Sequence, residues 1–395
     1  MDNLKIVVLA GYSFPIGLAA TTRIIAYSKG LIANGAKVEI IDYGHVSPDD
    51  PLKDADSGVI DGVPYRYSYK RIGSKSKFKR WCIDYWLSRL KAISLLYKMK
   101  KESSVDYVFL SFDSIIDITC FVLPLFLIRL KLVFIGDEYP IPIRHKLKSD
   151  IPVLKKKFYR FFSRFLCARV LMTENLKQYY NRIYTLPTHI LSTIVDVDRF
   201  EFDNLSSRVR KRDLTYMGNM ELSKDNVDNI IKAFAKILDI FPDLTLKLYG
   251  PKNNDTPYLE SLIHDLGLND KVQLAGKVDY DDVPDVLMHS LLLVSSQPDT
   301  MRANGGFPTK LGEYLCAGTP TVMTDSGEIS TYVKDAEQLW LVRPESVEEY
   351  AEKLIMIIGN YSEALAVAGR GRAYVMKNCS GVVVGKGLID FLSNL

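Results

Sequence analysis

Short apolar runs alternate with longer segments of helical periodicity along almost the whole chain. In the first half, strand patterns occupy five stretches: residues 4–10, 37–42, 105–111, 130–136 and 168–173. The first of these, LKIVVLA, is followed by a loop, the helical segment RIIAYSKGLIANG and the strand pattern KVEIID. This order of strand, helix and strand predicts a parallel α/β sheet.

A second series of the same kind begins after the polar stretch DNLSSRVRKRD. Its strand patterns are residues 214–218, 244–250, 271–276, 291–296 and 319–324. A chain of 395 residues exceeds the size at which one core usually stops growing. We therefore expect two Rossmann-like, doubly wound parallel-sheet domains, an N-terminal one over residues 1–200 and a C-terminal one over 201–375. We expect the last segment, 376–395, to be a helix that packs back toward the N-terminal domain.

Composition and cysteine usage are those of a folded cytoplasmic protein. Hydrophobic residues make up 47% of the chain and charged residues 25%. The most apolar stretch, 115–134, is interrupted by Asp117, Pro124, Arg129 and Lys131, so it does not predict a membrane span. The first residues, MDNLKIVVLAG, lack the pattern of a signal peptide. Five scattered cysteines without a CxxC pair favour reduced thiols over a disulfide framework or a zinc site.

The charge is distributed unevenly between the two halves. Residues 1–200 carry 31 Lys and Arg against 19 Asp and Glu, whereas the remainder carries 20 against 28. A basic front half indicates contact with an anionic surface or substrate. A nucleic-acid partner is not expected, because no nucleic-acid-binding module is visible and the back half is acidic.

The loops that directly follow strands are the expected place for a ligand. Ligands of open α/β sheets bind outside the carboxyl ends of the strands, and two such domains predict a site in the cleft between them. No GxGxxG pattern is present in the first loop, which argues against a nicotinamide or flavin oxidoreductase. Gly17, just before a helix start, either favours an anion there or only makes a tight turn.

Two further segments contain groups that suit a nucleotide diphosphate. Lys224, six residues after Gly218, can present a positive charge to a diphosphate, although an exposed lysine is usually solvated. In NGGFPTKLGEYLCAGTP (304–320) the glycines permit close backbone approach to a ligand, and residues 309–311 can offer main-chain N–H groups to phosphate oxygens. One turn further, the carboxylate of Glu313 can accept hydrogen bonds from both hydroxyls of a ribose.

The stretch GFPTKLGEYLCAGTPTVMTDSGE resembles the donor-binding segment of retaining glycosyltransferases of the GT-B fold. The family, of the glycosyltransferase family 4 type, is large and includes many bacterial capsule and O-antigen enzymes. LTYMGNMELSKDNVDNIIKAFAKILDIFPDLTLKLYG, ILSTIVDVDRF and KVQLAGKVDYDDVPDVL are similar to further blocks of that family. The C-terminal half is covered almost continuously, and the N-terminal half only loosely, through GYSFPIGLAATTRI and the order of elements.

The resemblance implies an α/β protein of GT-B architecture that transfers a sugar from a UDP- or GDP-sugar with retained configuration, without a metal or cofactor. It implies a donor site formed by Gly17, Gly218, Asn219, Lys224, Gly250, Val278, Phe307, Pro308, Thr309, Lys310, Leu311 and Glu313. Lys224 and helix-start N–H groups would stabilise the leaving diphosphate. In the loop GDEYP, Glu138 is the acid–base candidate and Asp137 is the alternative. For each of these carboxylates a purely structural role is at least as good an interpretation.

The chain departs from the family pattern at two positions. Where the family commonly has a Gly-Arg pair, this chain has Gly218-Asn219, so one basic phosphate contact is missing. The family usually has two glutamates eight positions apart; Glu313 matches the second, and the first falls on Gly305. Either Asp299 takes that role or backbone amides hold the donor sugar.

Two segments of the front half combine aromatic and basic residues. In PVLKKKFYRFFSRFLCAR (152–169), Leu154, Phe158 and Phe161 belong to one apolar stripe with basic flanks, and SKSKFKRWCIDYWLSRLKAISLLYKMKK (74–101) has the same character. The stripe of 152–169 is expected to face the core; a contact with an anionic membrane surface is the other interpretation, and both can hold. Docking to the inner face of the cytoplasmic membrane would suit a polyprenyl-linked saccharide acceptor in surface-polysaccharide assembly.

Two other functions remain open. A nucleotide-sugar-binding accessory subunit that has lost catalysis is suggested by Asn219 and Gly305. A sugar-nucleotide epimerase would need acid and base groups acting on the sugar ring, and the sequence offers no convincing set of them.

Overall fold

The computed structural model describes residues 4–11, 14, 15, 17, 19–45, 56–112, 114–140, 143, 151–200 and 205–395. These residues form two compact units. One unit comprises the described residues up to Ile143, the span up to Ile194 and the C-terminal segment Gly381–Leu395. The other comprises Val195–Ser380.

The first unit is built on an eight-stranded sheet. Its strands are Lys5–Ala10 (β1), Lys37–Asp42 (β2), Ser57–Ile60 (β3), Val63–Tyr67 (β4), Tyr107–Ser111 (β5), Lys131–Gly136 (β6), Ala168–Leu171 (β7) and Thr188–Ile190 (β8). They lie in the order β3-β4-β2-β1-β5-β6-β7-β8, and the pairs are parallel except for the β3–β4 hairpin. The central strands are apolar along almost their whole length because helices cover both of their faces.

The helices of this unit alternate with its strands. They are Ala19–Ala33 (α1), Lys77–Lys79 (α2), which continues through a π-helical turn at Arg80–Asp84 into Tyr85–Glu102 (α3), then Ile115–Leu127 (α4), Val153–Ser163 (α5), Glu174–Ile183 (α6) and, from the chain end, Gly381–Ser393 (α15). The last helix packs on α1, where the backbones approach so closely that a Cβ at Gly385 would lie 2.2 Å from the carbonyl oxygen of Gly30. Leu388 and Leu392 of α15 are buried in the core of this sheet with Val8 and Phe109.

The second unit is built on a six-stranded parallel sheet. Its strands are Asp213–Met217 (β9), Thr245–Tyr249 (β10), Val272–Gly276 (β11), Leu292–Ser295 (β12), Thr321–Thr324 (β13) and Trp340–Val342 (β14), in the order β11-β10-β9-β12-β13-β14. Its helices are Val227–Ile237 (α7), Thr256–Asp265 (α8), Val283–His289 (α9), Met301–Gly305 (α10), Lys310–Ala317 (α11), Ile329–Tyr332 (α12), Val347–Gly359 (α13) and Tyr361–Asn378 (α14).

Every strand pattern identified in the sequence corresponds to a strand of one of the two sheets. Two α/β units with doubly wound parallel sheets are therefore confirmed. The sequence reading missed β3, β4, β8 and β14. For the β3–β4 hairpin a sequence signal was present, namely the dipeptide Asp61-Gly62. Both residues have positive φ, 50° and 79°, as a two-residue hairpin turn requires.

The apolar stripe expected on 152–169 does not all face the core. On α5 the structure buries Tyr159 and Ser163, whereas Leu154 is 80% exposed and Phe161 is 47% exposed. The helix packs against α4, and the buried Ser163 accepts a hydrogen bond from the buried Arg169 at 3.1 Å. The expectation was wrong for Leu154 and Phe161. No helix within the described part of the chain is long and apolar enough to cross a bilayer.

Candidate functional site

Three loops of the second unit meet at the carboxyl edge of its sheet. The N–H of Gly218 donates to the carbonyl of Tyr249 at 2.9 Å, and the N–H of Gly250 donates to that of Gly276 at 2.8 Å. These bonds tie together the loops after β9, β10 and β11. The approach requires glycine, since a Cβ at Gly250 would lie 2.0 Å from the carbonyl oxygen of Gly218. Val278, half-buried, lies two residues after the end of β11.

The loop before α11 brings a fourth chain segment to this edge. Phe307 and Pro308 are buried, and the ring of Phe307 packs edge-on against Tyr332 with centroids 4.9 Å apart. Thr309 is the residue before the helix, which runs from Lys310 to Ala317. Gly318 follows it, and the φ of 65° at this glycine ends the helix in a left-handed conformation. The main-chain N–H of Leu311 donates to the carbonyl of Pro308 at 2.9 Å, so this amide already has an acceptor within the turn.

The side chain of Lys310 points into the protein and is held there by an ion pair and an aromatic ring. Its ammonium lies 2.6 Å from the carboxylate of Asp225 and 4.4 Å from the ring centroid of Tyr216. Burial lowers the pKa of Lys310 from its ordinary value, and the charge of Asp225 opposes that shift. The ammonium also adjoins Gly218, where an added Cβ would lie 2.7 Å from it. Lys310 therefore joins α11 to the loop after β9.

Glu313, in the first turn of α11, is held by an arginine that the sequence reading did not single out. Its carboxylate lies 2.9 Å from Nη1 of Arg199, and the Arg199 guanidinium stacks over the ring of Tyr280 with 3.5 Å to the centroid. Burial raises the pKa of Glu313 above its ordinary value, and Arg199 opposes the increase. A signal was available, because Arg199 belongs to the family-like segment ILSTIVDVDRF.

Lys224 lies in the turn between β9 and α7, half-buried, and its N–H donates to the carbonyl of Glu221 at 2.9 Å. The side chain of Glu221 links the neighbours of that turn. It accepts from Asn219 Nδ2 at 3.3 Å and from Ser223 Oγ at 2.7 Å, and it lies 3.6 Å from Nη1 of Arg302 on α10. Arg302 is a second basic side chain at this turn that the sequence reading did not identify.

Tyr314 fixes the position of α11 against the sheet. Its hydroxyl accepts a hydrogen bond at 2.8 Å from the N–H of Met217, the last residue of β9, and the side chain is buried. Asp299, proposed as a substitute for the missing glutamate, is exposed just before the Thr300 cap of α10, and Gly305 is buried as the last residue of that helix. Asp299 thus precedes α10 and Gly305 ends it, so neither residue belongs to α11.

The remaining candidates belong to the first unit. Gly17 is exposed two residues before α1. Asp137 and Glu138 follow β6, and the carboxylate of Asp137 lies 3.2 Å from Nε of Arg23. Arg23 is buried and also donates to the carbonyl of Ser192 at 3.1 Å. Of the twelve donor-site candidates, eleven lie in the second unit, while Gly17 and the acid–base candidate Glu138 lie in the first. A cluster of three or more His, Cys, Asp or Glu side chains suited to a metal was not found among the described residues.

The second unit matches a known protein family. Residues 197–373 match the family model described as "Glycosyl transferases group 1". The chain is 30% identical over 200 residues to an exopolysaccharide phosphotransferase of Streptomyces coelicolor, which covers 49% of this chain and 20% of that protein. It is 27% identical over 212 residues to a GDP-mannose-dependent α-(1-6)-phosphatidylinositol monomannoside mannosyltransferase of Mycobacterium tuberculosis, covering 50% and 54%. The match thus spans about half of the mannosyltransferase and a fifth of the phosphotransferase.

Solved structures share the fold of the whole chain. A sucrose-phosphate synthase from Thermosynechococcus elongatus has a TM-score of 0.75 at 12% identity, covering 99% of this chain and 98% of its own. Anabaena HepE in complex with UDP and glucose has a TM-score of 0.72 at 14% identity, covering 99% and 100%. Together with the two parallel-sheet units, these similarities confirm the GT-B architecture.

Proposed function

We propose that this protein is a glycosyltransferase that moves a sugar from a nucleotide-diphosphate donor to a saccharide acceptor. The observation that carries the proposal is that the Asp225–Lys310 pair ties the turn that carries Lys224 to the start of α11, the helix that also carries the Arg199-bound Glu313. A basic side chain beside a helix N-terminus suits a diphosphate, and a fixed carboxylate suits the ribose diol. The match of residues 197–373 to a glycosyltransferase family supports the same reading.

The reaction breaks the bond between the anomeric carbon and the β-phosphate oxygen, and the electron pair leaves with the diphosphate. The acceptor oxygen forms a new bond to the same carbon and its proton is taken up by a basic group. We propose retained configuration and no metal or cofactor, with Lys224 and the helix-start N–H groups of Thr309 and Lys310 meeting the charge that develops on the diphosphate. The helix-start N–H groups belong to the folded backbone, so they need no rearrangement when the charge appears.

Glu138 is the proposed acid–base group on the acceptor side, and Asp137 is the alternative. The carboxylate of Asp137 lies 3.2 Å from Nε of the buried Arg23, so it also serves to hold that guanidinium. Replacing each by the matching amide separates the two roles: loss of transfer with unchanged donor affinity is expected for Glu138→Gln and not for Asp137→Asn.

The donor is a UDP- or GDP-sugar in this proposal. The mannosyltransferase relative is GDP-mannose-dependent by name, and the HepE structure contains UDP, so the two relatives suggest different bases. A thermal-shift screen with UDP, GDP and their sugar conjugates tests the proposal directly. A ligand at a hundred times its dissociation constant stabilises the folded state by about 2.7 kcal/mol. No shift with any nucleotide diphosphate or nucleotide sugar would refute the proposed donor site.

We further propose that the acceptor is a lipid-linked saccharide of capsule or O-antigen type, met at the inner face of the cytoplasmic membrane. The basic front half supports this, and the phosphatidylinositol acceptor in the relative's name is a lipid of the same general kind. A non-catalytic accessory subunit is the second candidate, favoured by Asn219, whose amide is engaged by Glu221. Donor binding without transfer or slow donor hydrolysis, over a broad acceptor panel, would support that alternative.

A further inference from the structure

One face of the first unit exposes apolar side chains of three adjacent helices. The crossovers β4–α3–β5, β5–α4–β6 and β6–α5–β7 all run in the same direction along the sheet, so right-handed connections place α3, α4 and α5 on one side of it. The helices pack in that order, α3 on α4 and α4 on α5. We call the outward side of these helices, together with α2 and the π-helical turn, the three-helix face.

On α3 the large apolar residues point away from the core. Leu90 is 61% exposed and Trp86 is 43% exposed, and with Tyr97 they form one stripe at helical spacing. The same helix buries Arg89, whose guanidinium lies 2.6 Å from the carboxylate of Asp117 on α4 and 3.4 Å from the ring centroid of Tyr85. A helix at a water-exposed surface normally buries its apolar residues and exposes its charged ones. This helix does the opposite, since it buries an arginine and exposes a tryptophan and a leucine.

The neighbouring helices extend this apolar surface. Exposed large side chains continue on all of them: Phe78, Trp81, Ile83, Ile115, Ile116, Phe126, Leu127, Val153, Leu154 and Phe161. Phe126 of α4 reaches across to Phe165, just after α5, with ring centroids 5.0 Å apart. Exposed apolar groups in such number on adjacent elements mark an interaction surface.

The charge of the three-helix face indicates the kind of partner. Its helices carry twelve Lys and Arg and three Asp and Glu. Asp84 and Asp117 are buried, so Glu102 is the acidic side chain on these helices that is exposed. A second copy of the same basic face would repel it, which disfavours a symmetric dimer. Aromatic and aliphatic groups spread over three helices and bordered by lysines match the interface of an anionic bilayer.

We propose that the three-helix face docks the protein on an anionic lipid bilayer, with Trp86 and Leu90 of α3 entering the headgroup region and Lys91 and Lys157 facing the lipid charge. The proposal deepens the proposed function, on which it rests for the expectation of a lipid-linked acceptor. The docking itself is a property of the surface and can be measured without a donor or an acceptor.

Vesicle co-sedimentation of the full chain tests the docking. Vesicles of phosphatidylcholine alone are compared with vesicles that contain about one third phosphatidylglycerol, at low and high salt. We expect binding to the anionic vesicles that weakens as salt rises, because each lysine near a charged bilayer contributes about fivefold in affinity. The absence of binding to anionic vesicles, or equal binding to both compositions, would overturn the proposal.

Paired variants locate the binding face. Trp86→Ser with Leu90→Ser should lower anionic-vesicle affinity by about tenfold or more. Val382→Ser with Val383→Ser is the matched control, because these exposed valines lie on α15, which packs on α1 away from the three-helix face. Lys91→Glu with Lys157→Glu should lower affinity by about 25-fold or more, and Lys37→Glu with Lys386→Glu is its control. Thermal unfolding of each variant excludes loss of the fold.

Equal losses in test and control variants would overturn the proposal. So would a wild-type dimer in solution that Trp86→Ser with Leu90→Ser converts to a monomer, since the face would then bind a second copy. Nucleotide titration distinguishes this failure from that of the proposed function. Vesicle binding without any nucleotide affinity would refute the transferase proposal and leave the docking proposal intact. Nucleotide affinity without vesicle binding would refute the docking proposal and leave the transferase proposal intact.

Discussion

The carboxylate of Glu313 and the guanidinium of Arg199 form an ion pair of 2.9 Å, although 113 residues lie between them in the chain. The ring of Tyr280 stacks on the guanidinium, so Arg199 is held both by an aromatic ring and by its ion pair with Glu313. This arrangement fixes the direction of the Glu313 carboxylate before any ligand arrives. A fixed acceptor loses little side-chain entropy when it binds a ribose.

Arg199→Ala should make folding stability more dependent on pH. The pKa of Glu313 is already raised by burial, so the folded state holds its proton more tightly than the unfolded state does, and stability falls as pH rises from the unfolded pKa through the folded one. Without Arg199 the folded pKa rises further, and the loss extends to higher pH. Urea unfolding between about pH 4 and pH 8 should show a growing deficit that reaches about 1–3 kcal/mol. In Arg199→Ala with Glu313→Gln, the added pH dependence should vanish; its persistence would contradict the assignment to Glu313.

Lys224→Ala should nearly abolish transfer and weaken nucleotide-diphosphate binding by about tenfold or more, because a charge-assisted contact to phosphate is removed. Calorimetric titration with UDP or GDP measures the change, and the affinity for the bare nucleoside should be unaffected. Lys236→Ala is the control, as this lysine lies in the last turn of α7 in the same unit and is exposed. Near-normal turnover of Lys224→Ala would contradict the proposed role.

Arg302→Ala should also weaken diphosphate binding, by about three- to tenfold. Its guanidinium lies 3.6 Å from the carboxylate of Glu221, in the same turn that carries Lys224. Adding Asn219→Arg to Arg302→Ala should restore affinity, since it returns a guanidinium to the same turn. If that second change has no effect on calorimetric affinity, the phosphate does not lie beside this turn.

Removing one member of the Lys310–Asp225 pair should be more damaging than removing both. Asp225→Ala leaves a buried ammonium without its counter-charge and should lower the free energy of unfolding by about 3–5 kcal/mol. Lys310→Met with Asp225→Leu should cost about 2 kcal/mol or less, because both charges are then absent. Urea unfolding of the single and double variants measures the coupling. Additive losses would mean that the two groups act independently.

Gly250→Ala should lower both stability and nucleotide affinity, because its Cβ would collide with the carbonyl oxygen of Gly218 and move the loop after β9. Overpacking of this kind costs about 1–3 kcal/mol. Gly359→Ala is the matched control: no atom lies within 4 Å of its built Cβ, and its stability should stay within about 1 kcal/mol of the original. Chemical denaturation and nucleotide titration of both variants test the difference.

Local sequence signals sufficed for ten of the fourteen strands and for the start of α11, and failed where distant segments meet. The apolar runs and the turn of Gly306 and Pro308 are visible in short windows, so the sheets and the helix that carries Glu313 were foreseen. The partners Arg199 and Arg302 were not, because their roles depend on contacts with Glu313 and Glu221 far along the chain. Periodicity also placed Leu154 and Phe161 toward the core, whereas the structure exposes both and buries Tyr159 and Ser163 of the same helix.

The return of the last helix to the first unit has a practical consequence for dissecting the molecule. The chain enters the second unit at Val195 and leaves it at Ser380, and these two crossings lie side by side, since the N–H of Val195 donates to the carbonyl of Cys379 at 2.9 Å. A gene truncated near residue 195 would therefore lack Leu388 and Leu392 of the first core. Joining Ile194 to Gly381 through a short linker should instead yield the first unit as a single continuous polypeptide, complete with its closing helix.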